Sequence, residues 1–385
     1  MKNLLLIIFL LSTILFSCST GKKALDRGDY YEAISKAVDR LQTDLDNRNA
    51  SHVLREGYPM AIKYYQEKID ITLSGTDRFK WGETVRIMEN MNSLSEKIRK
   101  IPAARKIIEN PKVFTSEMRP AKEKAAEELY TAGLEQMENG SKEDARQAYR
   151  YFTSADNFIP GYKDVNQLIR DSKQAATYTV VVEQIPVFSE VYALSSAFFY
   201  DRVMGMLKYN FPEKGFVNFY SENEAGNYKI EHPDMILKMN FYDFHIGRNQ
   251  HSESEEPLSR SVEEKVKVTK KDTTYFETKI HNYQGTIKVI NDQVFTEGIL
   301  RVEVYDFQGN DRVLLTERLP GQFMWTNSYG VFVGDKEVLD SNHAALLNNR
   351  AYPPPSPQTL FIEFTKPVFD QLTDRLKSFF RKYEK

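Results

Sequence analysis

Residues 175–182 read Ala-Ala-Thr-Tyr-Thr-Val-Val-Val, and the pattern of the chain changes there. The β-branched and aromatic side chains of this segment are typical of a strand, because they pack well on a pleated sheet. Before it, apolar residues recur at helical spacing, as at Ile62, Tyr65 and Ile69. After it, strand-like segments follow one another. The sequence therefore predicts an α+β fold, in which a domain of helical hairpins precedes a mainly antiparallel sheet flanked by helices.

The sheet domain is expected over residues 176–349, with one helix at about 190–210. In residues 235–241 Met, Leu, Met and Phe share one face, and a bulge is predicted near Tyr242-Asp243. The polar, acidic segment 247–261 is interpreted as a flexible loop. The other predicted strands lie at 216–221, 262–271, 275–290, 298–307, 313–319 and 322–333, with a hairpin turn at 308–311.

Residues 350–385 are expected to form a proline-rich spacer and a helix that packs on the sheet domain. A short helix is predicted just before them, with Asp335 as its N-cap. The spacer segment Tyr-Pro-Pro-Pro-Ser-Pro, residues 352–357, favours a stiff polyproline conformation. Because such a segment is already extended, binding costs it little entropy. The candidate partner contacts are Tyr352, Pro353, Pro354 and Pro355.

Length and charge restrict the functional classes. The chain has 385 residues, enough for about two to three domains. It carries 52 Lys and Arg against 54 Asp and Glu, a net charge of −2, whereas a dedicated nucleic-acid-binding protein usually has a basic excess. One cysteine allows neither a disulfide framework nor a cysteine-based zinc cluster within the chain.

The N-terminus has the pattern of an export signal. Lys2 precedes the apolar run 4–16, which is too short for a helix that crosses a membrane but fits the apolar part of a signal peptide. The only cysteine follows in Leu15-Phe16-Ser17-Cys18. This segment resembles the lipobox of bacterial lipoproteins, in which an aliphatic residue, a spacer and a small residue precede the lipidated cysteine.

The resemblance implies that residues 1–17 are removed and that Cys18 is acylated, so that residues 18–23 form a lipidated tether. Several acyl chains hold a protein firmly in a bilayer, whereas one chain binds it only marginally. The residue after Cys18 is Ser19, whereas an Asp there often retains such lipoproteins in the inner membrane. We therefore expect an outer-membrane anchor with the folded part facing the periplasm. A secreted protein with a coincidental cysteine is the alternative.

The predicted helical domain, residues 24–175, contains two repeat-like segments. Residues 28–34, Gly-Asp-Tyr-Tyr-Glu-Ala-Ile, resemble the turn and second-helix start of a tetratricopeptide repeat, with Gly28, Tyr30 and Ala33 as packing residues. A second segment resembles the same repeat at Gly133, Ala148, Phe152, Ala155 and Pro160. About three hairpins are expected, and a concave face that grips partner segments is what this resemblance implies. A generic helical bundle is the alternative.

Motifs of catalysis are missing from the sequence: it has no G-x-S-x-G, H-E-x-x-H or phosphate-binding loop. His245 and His251 lie near Glu253, but a charged surface explains them without a metal. We therefore predict no catalytic residues, no metal site and no cofactor. The expected function is a non-enzymatic scaffold or accessory subunit of an envelope assembly, secretion or cell-wall machine, with other envelope proteins and the membrane as partners. A glycan-binding surface lipoprotein is the main alternative, and an unrecognised hydrolase a weaker one.

Overall fold

The computed structural model describes residues 20–186, 193–270, 273–309 and 312–384. The predicted leader, the lipobox with Cys18 and two residues of the predicted turn at 308–311 lie outside these ranges. The chain divides between Ala176 and Thr177 into two units. None of the helices in the described ranges is both long enough and apolar enough to cross a membrane.

The first unit is helical, because apolar residues at helical spacing bury one face of each long segment. Side chains also cap several helices: Asp29, Asn47 and Ser141 each accept a hydrogen bond from a backbone N–H of the first turn. The helices are α1 Lys22–Asp26, α2 Tyr30–Thr43, α3 Arg48–Ser74, α4 Lys80–Lys100, α5 Pro102–Ile107, α6 Thr115–Asn139, α7 Lys142–Phe158 and α8 Val165–Ala176.

Two apolar clusters stabilise the helices of this unit. The larger one joins helices α1 to α6 and includes the fully buried Ile34, Leu54 and Met91. The smaller one lies among α6, α7 and α8 around Phe152 and Val165. Helices α6 and α7 form the antiparallel hairpin that carries the second repeat-like segment.

The second unit is a five-stranded sheet with helices. Its strand order is β2-β1-β3-β4-β5; β1 runs parallel to both of its neighbours, and β3, β4 and β5 are antiparallel. This arrangement confirms the predicted α+β fold. The elements are β1 Tyr178–Val182, α9 Ala193–Asn210, β2 Val217–Ser221, α10 Glu222–Asn227, β3 Met235–Lys270, β4 Thr273–Asp306, β5 Arg312–Gly334, a 3-10 turn Lys336–Val338, α11 Ser341–Asn348 and α12 Pro357–Phe380.

The core of this unit lies between one face of the sheet and helices α9 and α12. Alternate residues of the strands point into it, as the period of two requires. The buried strand residues include Met235, Leu237, Met239, Phe241, Leu300, Val302 and Val304, and the helices add Phe199, Leu207, Phe364, Val368, Leu372 and Leu376. The predicted bulge is confirmed by a register shift between Tyr242 and His245.

The prediction of a flexible loop at 247–261 is wrong, because these residues lie within strand β3 and pair continuously with β4 from Arg248 onward. Cross-strand contacts replace the loop: His251 binds Asp292 at 2.6 Å, and Lys288 binds Glu253 at 2.7 Å. The acidic side chains of this segment project from strand β3, whose backbone is hydrogen-bonded to β4.

After Asp335 only the 3-10 turn Lys336–Val338 forms in place of the predicted helix, and the Asp335 side chain does not cap it. The Asp335 carboxylate accepts a hydrogen bond from the backbone of Gln284 instead, at 3.0 Å. Helix α11 begins five residues later, where the Asp340 carboxylate accepts from the N–H groups of Asn342 and His343. The two strands predicted at 313–319 and 322–333 are one strand, because Pro320 and Gly321 pair with β4 without a break.

Candidate binding sites

The α6–α7 hairpin depends on a glycine facing an aromatic ring. A Cβ atom on Gly133 would lie 2.7 Å from Cζ of Phe152, closer than any real contact. Phe152 is fully buried, and so are Ala148 and Ala155 on the same helix. The small residues therefore let the two helices approach, and the ring fills the space between them, as the resemblance implies.

The first repeat-like segment is built differently. Gly28 has a φ of +77° in the turn between α1 and α2, and nothing lies within 4 Å of where its Cβ would be. Its role is backbone conformation, not close packing. Ala33 is fully buried and Tyr30 is half-buried. The packing role predicted for Pro160 is wrong, since this residue is exposed just after the end of α7.

A tyrosine-lined cleft lies in the first unit, where the turn before α2 meets α3 and α4. Its volume is about 340 Å³. Tyr31 is 40% exposed and Tyr64 is 37% exposed. The lining residues are Arg27, Gly28, Asp29, Tyr30, Tyr31, Tyr64, Tyr65, Lys68, Arg86, Ile87 and Asn90. We call this site the tyrosine cleft.

Ring contacts hold three tyrosines of the cleft in place. The rings of Tyr30 and Tyr64 are 5.2 Å apart, and those of Tyr64 and Tyr65 are 5.4 Å apart at a steep angle. Lys68 places its ammonium 5.1 Å from the centre of the Tyr64 ring. Burial raises the pKa of Tyr65 to about 12. The cleft is therefore preorganised, aromatic and rich in hydroxyl groups.

Two of the cationic side chains around the cleft already form ion pairs with carboxylates. Arg86 binds Glu83 at 2.8 Å, which lowers the pKa of that carboxyl, and Arg27 binds Glu32 at 3.1 Å. Of the lining residues, Gly28 and Tyr30 were predicted as site residues, and both were assigned to repeat packing. The sequence signal of the cleft is the pair of Tyr-Tyr dipeptides at 30–31 and 64–65, which only the fold brings together.

The proline-rich segment forms a second groove, in the sheet unit. Residues 351–356 lie between α11 and α12 in neither a helix nor a strand, and Tyr352 is 62% exposed. Two side-chain amides fix the start of the segment to β5: Asn349 donates to the carbonyl of Ser328 at 2.9 Å, and Asn327 donates to that of Arg350 at 3.2 Å.

The proline-rich groove has a volume of about 380 Å³ and combines aromatic and polar side chains. Tyr352, Pro353 and Pro354 line it, whereas Pro355 is half-buried and is not part of the lining. The sheet contributes Asn249, Gln250, His251, Asp292, Gln293, Val294 and Trp325. Hydrogen bonding to Asp292, with a smaller contribution from Glu253, raises the pKa of His251 above 6.5.

Known proteins give no further indication of the chemistry of these sites. No protein-family model matches the chain, and no curated protein is significantly similar to it. Among the residues that the structure describes, no group of three or more His, Cys, Asp and Glu side chains is arranged to hold a metal ion.

A third hollow, of about 470 Å³, lies beyond the carboxyl ends of β1 and β2, where open α/β sheets often bind ligands. Three of its ionisable groups, Tyr200, Lys208 and Glu224, have structural partners. Lys208 binds Glu224, which caps α10 through Ser221. The Tyr200 hydroxyl donates to the carbonyl of Val182 at 2.9 Å, and burial raises its pKa to about 12. These contacts stabilise the fold around the hollow. None of them joins a nucleophilic side chain to a general base.

Proposed function

We propose that this protein is a lipid-anchored scaffold of the outer membrane, facing the periplasm, that binds other envelope proteins without catalysing a reaction. The tyrosine cleft is the observation that carries the proposal. Tyrosine and arginine are the residues that dominate the binding energy of protein interfaces, since they combine a rigid apolar surface with hydrogen bonding. A segment of a partner that enters this cleft meets three tyrosines that ring contacts hold in place, Tyr30, Tyr64 and Tyr65, so these side chains need little ordering.

Photo-cross-linking in cells tests the proposal. A photoreactive amino acid at position 31 is expected to form defined adducts with one or a few envelope proteins, and the substitution Tyr64→Ala should weaken them. Loss of a hot-spot tyrosine costs about 2 kcal/mol or more, roughly a 30-fold change in affinity.

Tyr209 provides the matched control, because it is 87% exposed on α9 in the other unit. The same amino acid at position 209 should not give these adducts, and Tyr209→Ala should leave them unchanged. Equal adducts from both positions, or recovery of the protein alone from solubilised membranes, would contradict a scaffold that acts through this cleft.

The lipid anchor is tested separately at Cys18. The lipobox-like segment supports acylation, so the protein is expected in the membrane fraction and should incorporate labelled palmitate. Cys18→Ser should release it into the soluble fraction and abolish labelling, because the lipid chains provide the membrane affinity. A Cys18→Ser protein that remains in the membrane fraction would contradict the anchor and leave the cleft proposal intact.

The proline-rich groove favours a second candidate, glycan binding. Trp325 and Tyr352 offer rings for stacking, and Asn249 and Gln250 offer amides for hydrogen bonds to sugar hydroxyls. Soluble oligosaccharides are expected to change Trp325 fluorescence in this case, and Tyr352→Ala should remove the response. Glycan capture also requires exposure at the cell surface, so a protein that resists protease on intact cells would exclude it.

A further inference from the structure

The hairpin of β3 and β4 extends beyond the rest of the sheet. Strand β5 pairs with β4 only as far as Gly285, opposite Gly334. Residues 259–270 and 273–284 therefore continue as a two-stranded ribbon. In the part of the chain that the structure describes, no strand pairs with the outer edge of β4 over 274–282. The exposed side chains there include Phe276, 67% exposed, and Ile280, 63% exposed.

Hydrogen bonds next to the ribbon show which backbone groups face the open edge of β4. Gln284 donates its N–H to the Asp335 carboxylate at 3.0 Å, and its carbonyl accepts from the N–H of Asp335 at 2.9 Å. Both groups of Gln284 thus point to the β5 side. Because the direction of the N–H and carbonyl groups alternates along a strand, those of residues 276, 278 and 280 also point to the open edge of β4. These positions are available to accept an antiparallel strand.

The sequence along this edge is complementary to itself. It reads Tyr-Phe-Glu-Thr-Lys-Ile-His over 275–281, with Thr278 in the centre. When two copies are placed antiparallel about Thr278, Phe276 lies opposite Ile280, and Glu277 lies opposite Lys279. Thr278 meets its own copy, and Tyr275 meets His281. Aromatic–aliphatic, opposite-charge and Thr–Thr pairs are the cross-strand combinations that stabilise sheets.

We propose that residues 274–282 of β4 pair with the same residues of a second copy of this chain, about a two-fold axis at Thr278. The two ribbons then form a four-stranded sheet across the interface. Phe276 and Ile280 lie on one face of this sheet, and the charged pairs lie on the other. Each contact except the Thr278–Thr278 pair on the axis occurs twice, as in the closed two-fold interfaces common among homodimers.

The two adjacent registers are unfavourable. The backbone groups that face the open edge belong to even-numbered residues. An even-numbered residue must therefore lie opposite an even-numbered residue of the second copy, which requires the two-fold axis to pass through a residue and not between two residues. A centre at residue 277 places Glu277 opposite Glu277, and a centre at 279 places Lys279 opposite Lys279. Like charges that face each other directly are destabilising. Only the centre at Thr278 makes both apolar residues and both charges complementary.

Pairing also explains how a long ribbon is stabilised. An isolated two-stranded hairpin is marginally stable in water, and three or more strands are needed for independent stability. An open, partly apolar edge would otherwise be a template for unspecific association. A second copy removes both problems.

Charge reversal tests the interface in the full, lipidated chain. The protein is expected to sediment as a dimer in detergent. Glu277→Lys and Lys279→Glu should each give monomers, because the facing charges become alike. An equimolar mixture of the two variants should recover the dimer, since each contact between positions 277 and 279 then joins a lysine to a glutamate. Glu263→Lys, an exposed change on β3, is the control and should leave the dimer unchanged.

Cysteine cross-linking tests the register. Hydrogen-bonded residues that face each other in an antiparallel pair have Cα atoms about 5.5 Å apart, within the range of a disulfide. In a Cys18→Ser background, Thr278→Cys should therefore cross-link rapidly on oxidation. Thr274→Cys should not, because the two cysteines would be about 27 Å apart along the strand. A monomeric wild-type protein, no recovery on mixing, or equal cross-linking at both positions would overturn the proposal.

Discussion

At the scale of single residues, two glycines in the helical unit differ in what surrounds them. Gly133 faces the buried ring of Phe152, whereas a Cβ on Gly82 would meet Phe158 at 3.5 Å, an ordinary contact. We expect Gly133→Ala to destabilise the unit, because overpacking costs about 1–3 kcal/mol and outweighs the helix preference of alanine. Gly82→Ala should be neutral or stabilise it by up to about 1 kcal/mol. Thermal unfolding of the purified protein measures both.

The double variant Gly133→Ala/Phe152→Leu provides the control for this explanation. A smaller side chain at 152 makes room for the new methyl group, so the double variant should lose less stability than the two single variants added together. Strict additivity would show that the ring does not oppose the methyl group. The resemblance to a repeat predicted both residues as packing residues. It could not separate Gly28, which serves the turn, because a glycine needed for a positive φ and one needed for space look identical in sequence.

The protonation of His251 is expected to make the stability of the protein depend on pH. Its hydrogen bond to Asp292 favours the charged imidazolium, so NMR titration should give a pKa above 6.5. Because the folded pKa is raised, the contribution of this group to stability is complete below about 6.5 and is lost as the pH rises through the folded value. Asp292→Asn should move the pKa back down. An unchanged pKa in that variant would contradict the assignment of Asp292 as the main cause.

At the scale of elements, strand β3 contains a segment that the side-chain pattern alone does not predict as a strand. Residues 249–256 are polar on both faces, so they lack the alternation that predicts a strand. Their structure comes from the partner strand, where Ile287, Ile290 and Val294 are buried and fix β4 in the sheet. By contrast, residues 235–241 alternate clearly, and their strand and buried face were predictable because that face contacts α9 and α12.

Hydrogen exchange should show that β3 is a strand in this acidic segment. We expect the amides of 249–258 that bond to β4 to exchange slowly, since opening them requires the sheet to separate. The matched comparison is the amides of Ala351 and Tyr352, which lie outside any helix or strand and should exchange quickly. Equal, rapid exchange in both segments would restore the flexible loop that the composition suggests.

At the scale of the whole molecule, each unit contains its own core. The buried clusters of the helical unit involve residues before Ala176, and the cluster of the sheet unit involves residues after Thr177. Nothing in either cluster needs a side chain from the other unit, so we expect residues 20–176 and 177–384 to fold when produced separately. Circular dichroism should show a helical first fragment and a mixed second one, each with a cooperative thermal transition.

The two fragments also separate the two binding functions. The tyrosine cleft belongs entirely to residues 20–176, so adducts from position 31 should persist with that fragment, provided that it reaches the same compartment. The edge of β4 belongs entirely to 177–384, so the second fragment should dimerise by itself and respond to Glu277→Lys as the full chain does. A fragment that stays unfolded while the full chain is folded would contradict the independence of the cores. A folded second fragment that is monomeric would contradict only the dimer.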